Sequence, residues 1–198
     1  MKWFGVYSMM VIDGLNSWKG KGKIQMEQEW KYQSTEDNTI SLHDCVIDRV
    51  EMLGDDIILY FDEYGFNVTK DNSLNPTGRH RNTGPAAVIL KNGCYHTGIG
   101  NRNTTETRLV EGKRIARTLP EILISKESFV QELIEGEILE FEWNQDLRRF
   151  TLRMVDGIHF VFFELEFICD KVLFCWNDLP EDAWFQNWAG LDETKKST

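Results

Sequence analysis

The chain has little proline, 4 in 198 residues, which excludes a proline-rich fibrous or linker protein. Cysteine is also scarce. Cys45, Cys94, Cys169 and Cys175 are too few to staple a chain of this length through disulfides, and they place it in a reducing cytoplasm. Cys169 and Cys175 face each other across a tight turn and would pair only in an oxidising compartment, so core packing is their expected role. No apolar run approaches the ~20 residues that a membrane helix needs. The apolar opening from Met1 to Ile12 runs into Asp13 with no small-x-small cleavage site, and it reads as a buried strand rather than a secretion signal. Catalytic signatures are missing as well. There is no G-x-S-x-G, and Gly98-Ile99-Gly100 has neither the helix nor the Lys-Ser/Thr pair that a phosphate cradle requires.

What the chain does have is apolar and acidic. Apolar residues make up 41%, with 12 Phe, 7 Trp and 5 Tyr, enough to build one sizeable core and too many for a disordered chain. The 22 basic residues are outnumbered by 32 acidic ones, giving a net charge of −10. That surface repels nucleic acid and anionic membranes and attracts a basic protein partner. The charge is uneven. Residues 70–117 carry 9 basic and 3 acidic side chains, whereas residues 118–198 carry 7 and 17. Arg79, Arg81 and Arg102 lie in loops of the basic middle and form a candidate anion site, weighed against simple pairing with the acidic remainder.

Periodicity points to strands. Ile57-Ile58-Leu59-Tyr60-Phe61 is a strong strand after the Gly54-Asp55 turn. Leu139, Phe141 and Trp143 alternate with Glu140 and Glu142, and Phe150, Leu152 and Met154 repeat the pattern, so each strand buries one face. Residues 86–91 and 94–99 flank Asn92-Gly93, the usual signature of a two-residue hairpin. Residues 172–176 should pair with the preceding apolar strand across Asp170-Lys171. One helix is expected near 125–135, capped by Ser125, with an apolar stripe of Phe129, Val130, Leu133 and Ile134 and a left-handed stop at Gly136. Asp178-Leu179-Pro180-Glu181 resembles a capping box and predicts a short C-terminal helix. The expected class is α+β, mostly antiparallel β, a sheet or sandwich with a covering helix. Residues 1–40 read as an N-terminal segment packed on or loosely attached to the main domain, 41–190 as one β-rich domain and 191–198 as a frayed tail.

Two constellations carry candidate chemistry. His43-Asp44-Cys45 and Cys94-Tyr95-His96 read H-x-C and C-x-H. On adjacent strands His43, Cys45, Cys94 and His96 would offer two imidazoles and two thiolates to one tetrahedral zinc. That is the alternative reading, a metal-binding or small-ligand enzyme domain; otherwise no cofactor is expected. The second is aromatic and acidic: Trp176, Trp184 and Trp188 beside Asp178, Glu181 and Asp182, a pattern suited to a basic protein surface. With no nucleophile, base and orienting group in view, a binding protein is preferred to a catalyst. Exposed edge strands leave self-association as a third reading.

Leu42-His43-Asp44-Cys45-Val46-Ile47, the strand at 57–61, Gly65-Phe66, and the closing Trp176-Asn177 and Ala183-Trp184-Phe185 resemble small β-rich bacterial domains of the kind found among immunity proteins of polymorphic toxin systems. The likeness covers roughly residues 42–185. It implies a cytoplasmic binding protein that inhibits a basic toxin, and it supplies no catalytic residue.

Overall fold

The computed structural model describes residues 29–101, 104–156 and 161–187. Strand β1 (Tyr32–Ser34) passes through a 3-10 turn (Asp37–Thr39) into β2 (Ile40–Ser41). The long strands β3 (Cys45–Leu53) and β4 (Asp56–Phe61) follow, then the short β5 (Asn67–Val68) and β6 (Arg81–Asn82) on either side of a polar loop. Next come β7 (Ala86–Lys91), β8 (Cys94–Gly100), β9 (Thr105–Val110), β10 (Lys113–Thr118) and β11 (Ile122–Leu123). Helix α1 (Phe129–Glu135) leads into β12 (Gly136–Asn144), β13 (Arg149–Asp156), β14 (Phe162–Ile168), β15 (Lys171–Trp176) and β16 (Glu181–Asp182). The described residues are therefore mostly antiparallel β with one short α-helix.

Ten strands form one sheet in the order β1-β15-β7-β4-β3-β12-β13-β14-β8-β11. Leu59, Val88 and Phe174 from one half share a single core with Phe150, Leu152 and Leu165 from the other, so the sheet folds over on itself. Phe141 and Phe174 bridge the halves, with ring centres 5.5 Å apart. β3 belongs to both halves. Its start pairs with β12, its remainder pairs with β4, and a register shift between Ile47 and Arg49 provides the bend. β9 and β10 pair only with each other and form an exposed arm.

Hairpins on either side of residues 86–99 are present, as β3–β4 and β12–β13. The one expected at Asn92-Gly93 is not. Asn92 has the positive φ of 50° that such a turn demands, yet β7 pairs with β15 and β4 while β8 pairs with β14 and β11. β14 and β15 likewise part company at Cys169-Asp170. The two connections are two corners side by side, where neighbouring strands pass together from one half of the sheet to the other. Asp170 N donates to Lys91 O at 2.8 Å, and Asn92 Nδ2 donates to Asp170 Oδ2 at 2.6 Å. An Asn-Gly pair fixes the sign of φ, not the partner of the strand that follows it.

Helix α1 buries Phe129 and Leu133, as its stripe predicts, and Phe129 stacks on Tyr95 with ring centres 4.6 Å apart. Its cap position is Ser128; Ser125 O accepts the Phe129 N–H at 3.0 Å. Gly136 is extended, with φ −100° and ψ 151°, rather than left-handed. Glycine is needed there for space, since a Cβ would sit 2.6 Å from the Phe163 ring. The expected C-terminal helix is not found among the described residues. Glu181 and Asp182 pair instead with Asn82 and Arg81, and Ala183 N donates to His80 O at 3.0 Å. Tertiary pairing there outweighs a local capping pattern. Residues 32–41 join the same body as the rest, because β1 pairs with β15 and β2 with β5. The N-terminal strand expected from Met1 and the tail from 191 lie outside the described residues.

Candidate functional site: an acidic groove beside Trp184

A second, four-stranded sheet in the order β16-β6-β5-β2 positions the site. Glu181 pairs with Asn82, Asn82 with Asn67, and Asn67 with Ser41, so these four side chains share one face in a row across the strands. Phe66 and Val68, on either side of Asn67, are fully buried in the core, which turns Asn67 to the opposite side. There it lines a groove of about 290 Å³. The turn after β4 forms one wall. Asp62 Oδ1 accepts the Tyr64 N–H at 3.0 Å, Asp62 O accepts the Gly65 N–H at 3.1 Å, and Gly65 takes a φ of 61°. Only glycine fits there, because a Cβ would overlap the Gly84 carbonyl oxygen and Thr83 Oγ1. Thr83 Oγ1 accepts the Phe66 N–H at 3.0 Å and locks the turn to β6. His43, Asp44 and Cys45, and Glu181, Asp182 and Trp184, complete the lining.

The groove is negative. It presents the carboxylates of Asp44, Asp62 and Glu181, while Asp182 at its edge is paired with Arg79 and Arg81. Burial, then repulsion from Asp62, Asp44 and Glu137, pushes the Cys45 thiol up to about 12. Its Sγ donates to the His43 carbonyl at 3.6 Å, so it is a protonated, inert thiol and not a nucleophile. Burial also raises Cys175 to about 12 and Cys169 to about 11. All four cysteines are free. Tyr64 and Trp184 are exposed at the rim, Trp184 by 47%. Trp184 stands edge-on to Phe185, with ring centres 5.2 Å apart, and lies 6.1 Å from His43.

The structure does not bring the zinc candidates together. His43 and Cys45 precede and begin β3, whereas Cys94 and His96 lie on β8, with β12, β13 and β14 in between. Asp44 has a φ of 61°, so His43 and Cys45 are not two residues of one regular strand. Cys45 is buried, while Tyr95 turns inward to Phe129 and leaves Cys94 and His96 on the outer side of β8. Among the described residues no three His, Cys, Asp or Glu side chains are grouped to hold a metal. The spacing of each pair was legible in the sequence; the separation of their strands was not.

The anion candidates are engaged internally. Arg79 Nη2 and Arg81 Nη1 lie 2.6 and 2.7 Å from the two oxygens of Asp182, and Arg81 Nη2 donates to Leu179 O at 2.6 Å. Arg102 lies outside the described residues. Of the aromatic-acidic set, Trp176 is removed from the surface: it is fully buried, stacked on Tyr32 and edge-on to Phe66. Asp178, Glu181 and Trp184 are exposed, Asp182 clasps the arginines, and Trp188 lies outside the described residues. Asp44 enters the site as the residue between His43 and Cys45, and Asp62, Tyr64, Asn67 and Asn82 enter it from positions to which the sequence assigned no binding role; Gly65-Phe66 was the nearest signal.

A larger cleft of about 640 Å³ lies along β12, β13 and β14 between Glu140, Arg153 and Glu164. Among the described residues its one basic lining group, Arg153, is held by Glu140 at 2.5 Å and Glu164 at 3.0 Å, with Glu142 at 3.8 Å. Comparison with family models, curated proteins and solved structures gives no match.

Proposed function

We propose that this chain is a non-catalytic, cytoplasmic binding protein that captures a basic protein partner in the groove beside Trp184, in the manner of an immunity protein occupying a cationic toxin. The observation that carries the reading is the groove itself, where the carboxylates of Asp44, Asp62 and Glu181 meet two exposed aromatic rings on a two-sheet frame. Acidic side chains around the rim steer a cationic partner and speed encounter. A ring that is half-exposed in the free chain and covered in the complex slows release. The inertness of the buried thiols favours binding over nucleophilic chemistry.

The test is co-expression with the product of the neighbouring gene, followed by calorimetry of the purified pair. Trp184→Ala should weaken binding by about 2 kcal/mol, roughly thirty-fold in Kd. Glu181→Gln should act mainly on the association rate and on its dependence on salt. A neighbour that is not captured, or a complex indifferent to Trp184→Ala, counts against the reading.

A further inference from the structure

Among the side chains that line the groove, one buried polar atom has no hydrogen-bond partner. Asn67 is 3% exposed, and its Oδ1 is buried without a hydrogen bond. Its cross-strand neighbour shows that this is not general to the row. Asn82 donates through Nδ2 to Tyr64 O at 2.6 Å and accepts the Gly84 N–H through Oδ1 at 2.8 Å. A buried acceptor left orphaned costs the fold its hydration without return, so a donor brought from outside is rewarded.

The surroundings specify that donor. Asp62 and Asp44 in the lining demand positive charge, and Trp184 at the rim offers a ring face to a cation. A metal ion does not fit, because no three ligating carboxylate, imidazole or thiol groups converge among the described residues. A planar guanidinium does. It carries five N–H donors in a fixed fork, suited to acceptors that approach from different sides, where an ammonium is a point charge. The chain already uses this pattern beside the groove, where the Arg81 fork is shared between the Asp182 carboxylate and the Leu179 carbonyl. At about 290 Å³ the space suits one side chain rather than a larger molecule.

We infer that the Asn67 pocket receives an arginine side chain of the partner protein, its guanidinium donating to Asn67 Oδ1 and Asp62 and lying against Trp184. This rests on the binding function proposed above and names the chemical group on which it turns. Tyr64 and Glu181 shape the entrance.

The experiment titrates the full chain with a blocked Gly-Arg-Gly peptide and follows the Asn67 side-chain amide and the Trp184 indole by nuclear magnetic resonance. The arginine peptide should shift both signals saturably. The same peptide with citrulline, which is neutral and nearly isosteric, should not. Free L-arginine should bind more weakly than the blocked peptide if the pocket is built for a protein side chain; tighter binding of the free amino acid overturns that source. Asn67→Ala should lower the peptide's affinity about tenfold. Should that variant fail to fold, Asp62→Asn, at a half-buried surface position, should lower it comparably. Equal shifts with citrulline, or no saturable shift at Asn67, overturn the inference. If the partner is captured while the peptide leaves Asn67 unmoved, the pocket assignment falls and the binding function stands. If the peptide saturates the pocket while the neighbouring product is not captured, the reverse holds.

Discussion

Replacing Phe66 with alanine tests the frame on which the groove is built. Phe66 is fully buried and meets three aromatic rings nearly edge-on: Phe61 at 5.5 Å, and Phe174 and Trp176 at 6.1 Å. Phe61 and Phe174 are long-strand residues of the ten-stranded sheet, so this one ring joins the small sheet to the large one. Truncating a buried phenylalanine costs about 3–5 kcal/mol, and the lost edge-to-face contacts place Phe66→Ala in the upper part of that range. For a chain of this size each kcal/mol moves Tm by roughly 2–4 °C, so a 4 kcal/mol loss lowers it by about 8–16 °C. Urea melts read by tryptophan emission suit the question, since Trp176 lies directly against the missing ring. Phe162→Ala is the control. That side chain is 48% exposed on β14, and its removal should cost less than about 1 kcal/mol. A Phe66→Ala loss below about 1 kcal/mol, or one equal to the Phe162 control, would refute the account of Phe66 as the joint between the sheets.

Three further outcomes follow from the side chains. At pH 8 iodoacetamide should add once to the native chain, at the exposed Cys94, because Cys45, Cys169 and Cys175 are buried and hold their protons up to about 11 to 12. Above about pH 9, where the same thiols ionise in the unfolded chain, that chain binds fewer protons than the folded one, so stability should fall as pH rises; rapid native alkylation of Cys175 would contradict both statements. Arg153→Met leaves Glu140, Glu142 and Glu164 facing one another and should cost about 1 kcal/mol in dilute buffer, less in 1 M salt; a loss that salt leaves unchanged points to packing instead.

Strand by strand, the fold was legible where one face is wet. Glu140 and Glu142 alternate with buried or half-buried neighbours, and the β12–β13 hairpin follows from that pattern. Local signals failed where the chain turns a corner. Asn92-Gly93 and Asp170-Lys171 look like hairpin turns because each takes the backbone through a sharp bend, but what settles pairing is the neighbouring corner, which is distant in sequence. The same holds for the site. Trp184 beside acidic residues was visible as a candidate, whereas Trp176 looked equivalent, since a core tryptophan and a surface one carry the same letter. Asp62 and Asn67 meet residues 181–184 only through β5–β6 and β6–β16 pairing, which no local periodicity encodes. Charge was more readable: Arg79 and Arg81 of the basic middle both pair with the acidic C-terminal region, through Asp182.

The position of β15 has a consequence for synthesis. Among the described residues it is the last long strand in chain order, yet it fills an interior slot, between β1 and β7. Until residue 176 has emerged from the exit tunnel, β1 has no neighbour in that sheet and β7 shows a bare, apolar rim. The nascent polypeptide must therefore release residue 176 before the sheet can shut, and until then it depends on dilution or on chaperones to keep the rim from recruiting strands of other chains.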